Sequence, residues 1–227
     1  MAFTLITANR NYSSWSLRPW VLMKALSIPF TDRIEPFTKP SNYEEFRAFS
    51  PTGQVPVLLD GEATVWDSLG IALYLADRHE GFWPADPAAR AFAQSAAAEM
   101  HGGFSALRND CPMNVGVRVT PRPMREALVR DVTRVREIFE QGLARFGGPW
   151  LAGERFTVLD AFYAPVAYRV RTYGLDVGKG QAWVDRVIAH PAMLEWEAAA
   201  LAEAWREVSH EEELASSGAI TADYRTA

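Results

Sequence analysis

The chain has 227 residues, of which 48% are hydrophobic and 22% charged, with eight Trp and twelve Phe, so it carries enough apolar mass for a buried core and reads as a globular protein rather than a disordered or fibrous one. A net charge of -5 without a Lys/Arg cluster argues against nucleic acid or an anionic membrane surface as the main partner. One cysteine, Cys111, excludes an internal disulfide framework and fits a reducing, cytoplasmic compartment.

Phe3 to Thr7 is a short apolar run of strand formers, and after a polar loop Leu17 to Leu26 is too apolar on every side for a surface helix. This predicts a strand, a loop and a buried helix. Pro56 to Leu59 and Ala63 to Trp66 flank Asp60-Gly61, a strong hairpin signal, and Ser68 to Arg78 reads as a helix with Leu69, Ala72, Leu73 and Ala76 on one face. A parallel crossover, a hairpin and a covering helix together predict a small α/β sheet over residues 1–80. Gly81, Pro84, Asp86 and Pro87 punctuate the chain, which places a linker at 81–87.

Beyond it, Ala88 to Asp110, Met124 to Phe146, Thr157 to Tyr173, Gln181 to Ile188 and Pro191 to Trp205 are rich in helix formers at helical spacing, so residues 88–227 are expected to be all-helical. Thr157 and Asp160 form a capping-box pattern, Pro165 is a candidate kink, and Glu211 to Glu213 reads as a solvated tail. No apolar stretch reads as a signal peptide or a membrane span. Asn11-Tyr12-Ser13 fits the glycosylation acceptor pattern, which a cytosolic chain would not use.

Tyr12-Ser13-Ser14-Trp15-Ser16 after the first strand, Gly53-Gln54-Val55-Pro56-Val57-Leu58 at the hairpin, Asp67-Ser68 at the next helix start and Phe156-Thr157-Val158-Leu159-Asp160 in the helical half follow one another in the order of a known family. The chain resembles the glutathione transferase superfamily, and the Ser-Ser-x-Ser element is similar to its zeta class and bacterial relatives, among them maleylacetoacetate isomerases. The resemblance implies a thioredoxin-like domain that holds glutathione, a helical-bundle domain that supplies the pocket of a small electrophilic substrate, and a homodimer. No other cofactor and no metal is expected. Its principal activity would be conjugation; isomerisation of a maleyl-type keto acid is the alternative, and a transferase-shaped binding module without turnover is a second.

A thiol with a pKa near 8.5 is only about 3% thiolate at pH 7, so such a site must stabilise an anion. A hydroxyl at the positive end of a helix does so, and about two pKa units, roughly 2.7 kcal/mol, are within reach of one charge-assisted hydrogen bond and a helix terminus. Ser13 matches the family's activating serine, with Ser14 second; the plainer reading is that both cap the helix. Trp15 stands where the zeta class has a cysteine, which removes thiol-disulfide chemistry there and weakens the isomerase expectation.

The resemblance implies a cis bond before Pro56, with the Val55 backbone pairing to the cysteinyl unit like an added strand. Gln54 is a candidate donor to a glutathione carboxylate or else a solvated side chain. The free N–H groups of the next helix start, with the Ser68 hydroxyl, suit the γ-glutamyl carboxylate, and Asp67 suits the turn or the peptide's amino group, the plainer reading of the Asp-Ser pair being an ordinary cap. Met100, Phe104, Leu107, Cys111 and Met113 form an apolar stripe expected to be mostly core, and Arg108, Asn109 and Asp110 are within possible reach of glutathione across a dimer contact. The histidines at 79, 101, 190 and 210 lack metal-ligand spacing.

Overall fold

The computed structural model describes residues 3–226. β1 (Phe3–Thr7) leads through a loop to α1 (Ser14–Ala25), which returns the chain to β2 (Phe30–Ile34). β1 and β2 are parallel, Leu5 facing Asp32, as a crossover helix requires. After α2 (Tyr43–Phe46), β3 (Val57–Asp60) and β4 (Ala63–Val65) form the hairpin read from Asp60-Gly61. The sheet order is β2-β1-β3-β4, with β3 antiparallel to β1 and Leu5 opposite Leu58. α3 (Ser68–Ala76) covers it, burying Ile71, Ala72 and Leu75. β2 was not read from sequence; as an edge strand of five residues its alternation of half-buried and exposed positions is a weak signal.

The second half contains α4 (Pro87–Gly102), α5 (Ser105–Asp110), α6 (Glu126–Phe146), α7 (Val158–Tyr173), a 3-10 turn (Gly178–Gly180), α8 (Gln181–Ile188) and α9 (Pro191–Ala202). α7 is its central rod: all of its residues but Arg171 are buried, and it runs unbroken through Pro165. It packs on α1, so one core of apolar side chains runs through both halves, joining Leu5, Trp20 and Leu58 to Phe162, Tyr168 and Trp196. The Asp160 carboxylate at its start is completely buried and accepts from the Thr157 N–H (2.9 Å) and hydroxyl (3.2 Å), the Leu151 N–H (3.0 Å) and the Trp183 indole (2.9 Å). Burial nevertheless outweighs these donors and pushes its carboxyl up to about 6.

Three expectations are corrected. The predicted single helix over 88–110 is broken at Gly103 and Phe104: Phe104 sits at φ 60°, and a Cβ on Gly103 would lie 2.7 Å from the Glu99 carbonyl oxygen. The half expected to be all-helical carries a two-stranded sheet, β5 (Val117–Pro121) against β6 (Gly218–Asp223), in which buried Val117 and Val119 alternate with more exposed Arg118 and Thr120. The acidic run expected as a solvated tail lies in α10 (Val208–Ser217), where Glu211 pairs with Arg225 and accepts from the Tyr12 hydroxyl.

Candidate functional site

The loop between β1 and α1 is held by polar contacts from distant parts of the chain. Glu203, just beyond α9, accepts from the backbone N–H of Arg10 at 2.6 Å and of Asn11 at 3.2 Å. The Asn11 amide donates to the Ala200 carbonyl at 2.6 Å, its oxygen accepts from the Gly116 N–H at 3.2 Å, and the Trp196 indole donates to the Arg10 carbonyl at 3.0 Å. Burial raises the Glu203 carboxyl above its ordinary range against the opposing pull of these donors. The Arg10 guanidinium stacks on Trp20 and Trp196 and pairs with Asp32 of β2.

So anchored, the loop delivers Ser13 to the start of α1. Its hydroxyl donates to Ser16 Oγ at 2.8 Å and accepts from the Ser16 N–H at 3.4 Å, so it is the helix cap of the plainer reading. It also lines a cavity of about 510 Å³, which has Gln54, Val55, Pro56, Trp66 and Asp67 among its other walls. Ser13 is therefore at once the cap of α1, at the positive end of that helix, and one of the residues that line the cavity. Ser14, the first residue of α1, is buried and does not line the cavity.

The Val55-Pro56 bond is cis. Among the described residues no turn or loop hydrogen bond uses the Val55 N–H or carbonyl. Gln54 is exposed and its N–H donates to Ser50 Oγ at 3.2 Å. The Asp67 carboxylate caps α3 through the N–H groups of Leu69 (2.9 Å) and Gly70 (3.4 Å) and meets His101 Nε2 of α4 at 3.2 Å. Ser68 is fully buried, outside the cavity lining, and its hydroxyl has no hydrogen-bond partner among the described residues. The structure thus gathers Ser13, Gln54, Val55, Pro56 and Asp67 around one space and sets Ser14 and Ser68 behind its walls.

Of the apolar stripe on the helical half, Met100, Phe104, Leu107, Cys111 and Met113 all belong to the core. Burial pushes the Cys111 thiol up to about 12, so the one thiol of the chain is protonated and inert near neutral pH. Arg108 spends its guanidinium on the carbonyls of Gly103, Met100 and His101, and Asp110 pairs with Arg125.

Sequence reasoning missed several residues around this space. Trp15 lines it and carries the guanidinium carbons of Arg18 and Arg108 at 4.1 and 4.7 Å from its ring centre. Arg18 is 1% exposed, and its Nε and Nη1 have no partner among the described residues. Burial, then the charges of Arg108 and Arg169, lower its pKa well below the ordinary value. Tyr12, Phe37, Lys39 and Asn42 are further lining residues, together with His210 from α10. The Tyr12 hydroxyl is committed to Glu211, and burial, followed by that carboxylate, raises its pKa, so it offers no acidic donor to a sulfur. A lone His in a charged tail gave no sequence signal of this position.

The fold and the cavity have counterparts among known proteins. Residues 12–78 match the family described as "Glutathione S-transferase, N-terminal domain", and residues 121–199 match "Glutathione S-transferase, C-terminal domain". The chain belongs to the glutathione S-transferase superfamily. It is similar to glutathione S-transferase 1 of Manduca sexta, 31% identical over 62% of this chain and 65% of that protein, and to a zeta-class glutathione S-transferase of Euphorbia esula, 28% identical over 53% and 55%. The aligned stretch thus spans less than two thirds of either relative. Among solved structures, a glutathione transferase homolog from Burkholderia with bound glutathione superposes with a TM-score of 0.66 at 20% identity, covering 86% of this chain and 96% of that one. Within this superfamily member, α10 and β6 lie beyond the stretch matched by the C-terminal family domain, although His210 helps to line the cavity.

Proposed function

We propose that the protein is a glutathione transferase in which the Ser13 hydroxyl turns from Ser16 to the sulfur of bound glutathione and holds it as thiolate for attack on a small apolar electrophile. The observation that carries this reading is the meeting of Ser13, at the N-terminal end of α1, with the Val55-Pro56 bend and the Asp67 cap around one cavity. The Val55 backbone would pair with the cysteinyl unit, Gln54 would serve a carboxylate, and the start of α3 would take the γ-glutamyl carboxylate, the buried Ser68 hydroxyl joining it only on movement of that turn. Ser14 stands in reserve as the alternative activator. The tripeptide would lie against the 1–80 domain, with 81–87 as the linker and residues 88–227 supplying the electrophile's pocket. A homodimer, a cytoplasmic location and the absence of a metal requirement complete the proposal.

Replacing Ser13 by Ala should lower the conjugation rate with an activated aryl chloride about tenfold or more, leave glutathione affinity nearly intact, and move the pH-rate profile toward the pKa of a free thiol. An unchanged rate and profile would remove Ser13 from this role, and Ser14→Ala would then be the variant to measure. The alternative activity is glutathione-dependent cis-trans isomerisation of a maleyl-type keto acid. Turnover of a maleyl keto acid faster than of aryl chlorides would select it.

A further inference from the structure

We propose that His210, on the helix beyond the family-matched segment, recognises the glycyl carboxylate of glutathione and so makes α10 a specificity element of the tripeptide site. The inference rests on the reading that this cavity holds glutathione. With the γ-glutamyl end at the start of α3 and the cysteinyl unit on Val55, the third residue is left the wall formed by Phe37, Lys39, Asn42 and His210. Lys39 and His210 are the basic side chains among the lining residues, and the Lys39 ammonium is already paired with Glu45.

The imidazole is held in a way that packing alone does not require. Its ring lies between Tyr12, at 4.8 Å and 21°, and Phe37, at 5.2 Å and 14°, which fixes its plane. Its Nδ1 is 2.7 Å from a carboxylate oxygen of Glu207, a buried residue that also accepts from the N–H groups of Ser209 and His210. A ring with Glu207 at Nδ1 presents Nε2 from its other edge. A second carboxylate at that edge would give an imidazolium an acceptor for each of its two N–H donors. Tyr12 is next to Ser13, so the same stack joins this wall to the proposed sulfur site.

Calorimetric titration with glutathione and with γ-glutamylcysteine, which lacks the glycyl unit, tests the assignment. His210→Phe keeps both ring stacks and removes both nitrogens; His210→Gln keeps one amide donor. Loss of one charge-assisted hydrogen bond predicts about a tenfold or greater fall in glutathione affinity for His210→Phe, unchanged γ-glutamylcysteine affinity, and partial recovery of glutathione affinity in His210→Gln. Equal losses for the two ligands would make His210 a prop for the wall and overturn the assignment, as would no loss for either. Wild-type protein that binds neither ligand would overturn the glutathione reading itself, an outcome distinct from a His210 effect that fails to depend on the glycyl unit.

Discussion

Glu203→Ala should be among the costly single changes outside the cavity, and its cost follows from three hydrogen bonds. In the wild type the carboxylate accepts from the N–H of Arg10 at 2.6 Å, the N–H of Asn11 at 3.2 Å and the Asn11 side-chain amide at 3.3 Å. The alanine variant leaves two buried backbone donors without acceptors, about 1–3 kcal/mol each, while the Asn11 amide keeps the Ala200 carbonyl. Relief of the buried charge offsets part of this, so the net loss should be about 2–4 kcal/mol. For a chain of this size that lowers the thermal midpoint by roughly 5–15 °C. Glu203→Gln retains one acceptor oxygen and should lose about half as much. The sign with pH is fixed as well. The folded-state carboxyl is raised above its ordinary 4.5, so in the window just above 4.5 the folded chain keeps a proton that the unfolded chain has released. The Glu203 contribution therefore falls as pH rises through that window, and the Gln variant should lack this slope. Urea titrations of the three proteins at several pH values measure all of this. A Glu203→Ala midpoint equivalent to less than about 0.5 kcal/mol of loss would refute the claim that this carboxylate holds the Ser13 loop.

Asp160→Ala removes the acceptor shared by Leu151, Thr157 and Trp183, and denaturant titration should show a loss of about 3–5 kcal/mol, with Asp160→Asn less affected because one oxygen remains; a loss below about 1 kcal/mol would contradict the assigned hydrogen bonds. Arg18→Met exchanges a buried guanidinium, whose Nε and Nη1 have no hydrogen-bond partner among the described residues, for an apolar side chain of similar length, so the thermal midpoint should hold or rise, whereas a fall of several degrees would mean that the stack on Trp15 and Phe162 outweighs the burial of the charge. Burial pushes the Glu207 carboxyl up, but the Ser209 hydroxyl, the His210 ring and their N–H groups overcome it and hold it at about 2. A depressed acid contributes stability above its unfolded value of 4.5 and loses it as pH falls toward 2, so α10 amides should exchange faster over that window, and Glu207→Gln should abolish the dependence.

The parts of this architecture legible in the sequence are those specified locally. Asp60-Gly61 announces its hairpin because an Asp-Gly pair accepts the backbone of a tight turn, and Gly61 does sit at φ 59°. α7 was legible because an apolar run with a capping box has few other outcomes. The Ser13, Pro56 and Asp67 positions were legible only as members of an ordered motif set, since each alone is an ordinary cap or strand start. What stayed hidden depends on partners far along the chain. β6 pairs with β5 across about a hundred residues, and Glu211 becomes structural only because Arg225 and Tyr12 reach it. His210 gave no signal at all, since its place beside Phe37 follows from the path of α10 over the cavity and from no local pattern.

That dependence bears on how the site is made. The first half supplies Ser13, Val55, Pro56 and Asp67, yet the loop that carries Ser13 satisfies its backbone N–H groups through Glu203 and its Asn11 side chain through the Ala200 carbonyl, and His210 helps to line the cavity. Without those partners the Arg10 and Asn11 donors would turn to water and the loop would exchange one buried arrangement for many solvated ones, a loss that the short α1 cap at Ser13 does not offset. The same elements that fix the loop also bury Trp196 against Trp20 and the Arg10 guanidinium, so stability of the core and placement of the hydroxyl are coupled. A chain ending before α9 would therefore keep the sequence motifs of a glutathione site and lack the polar anchors that hold them in register.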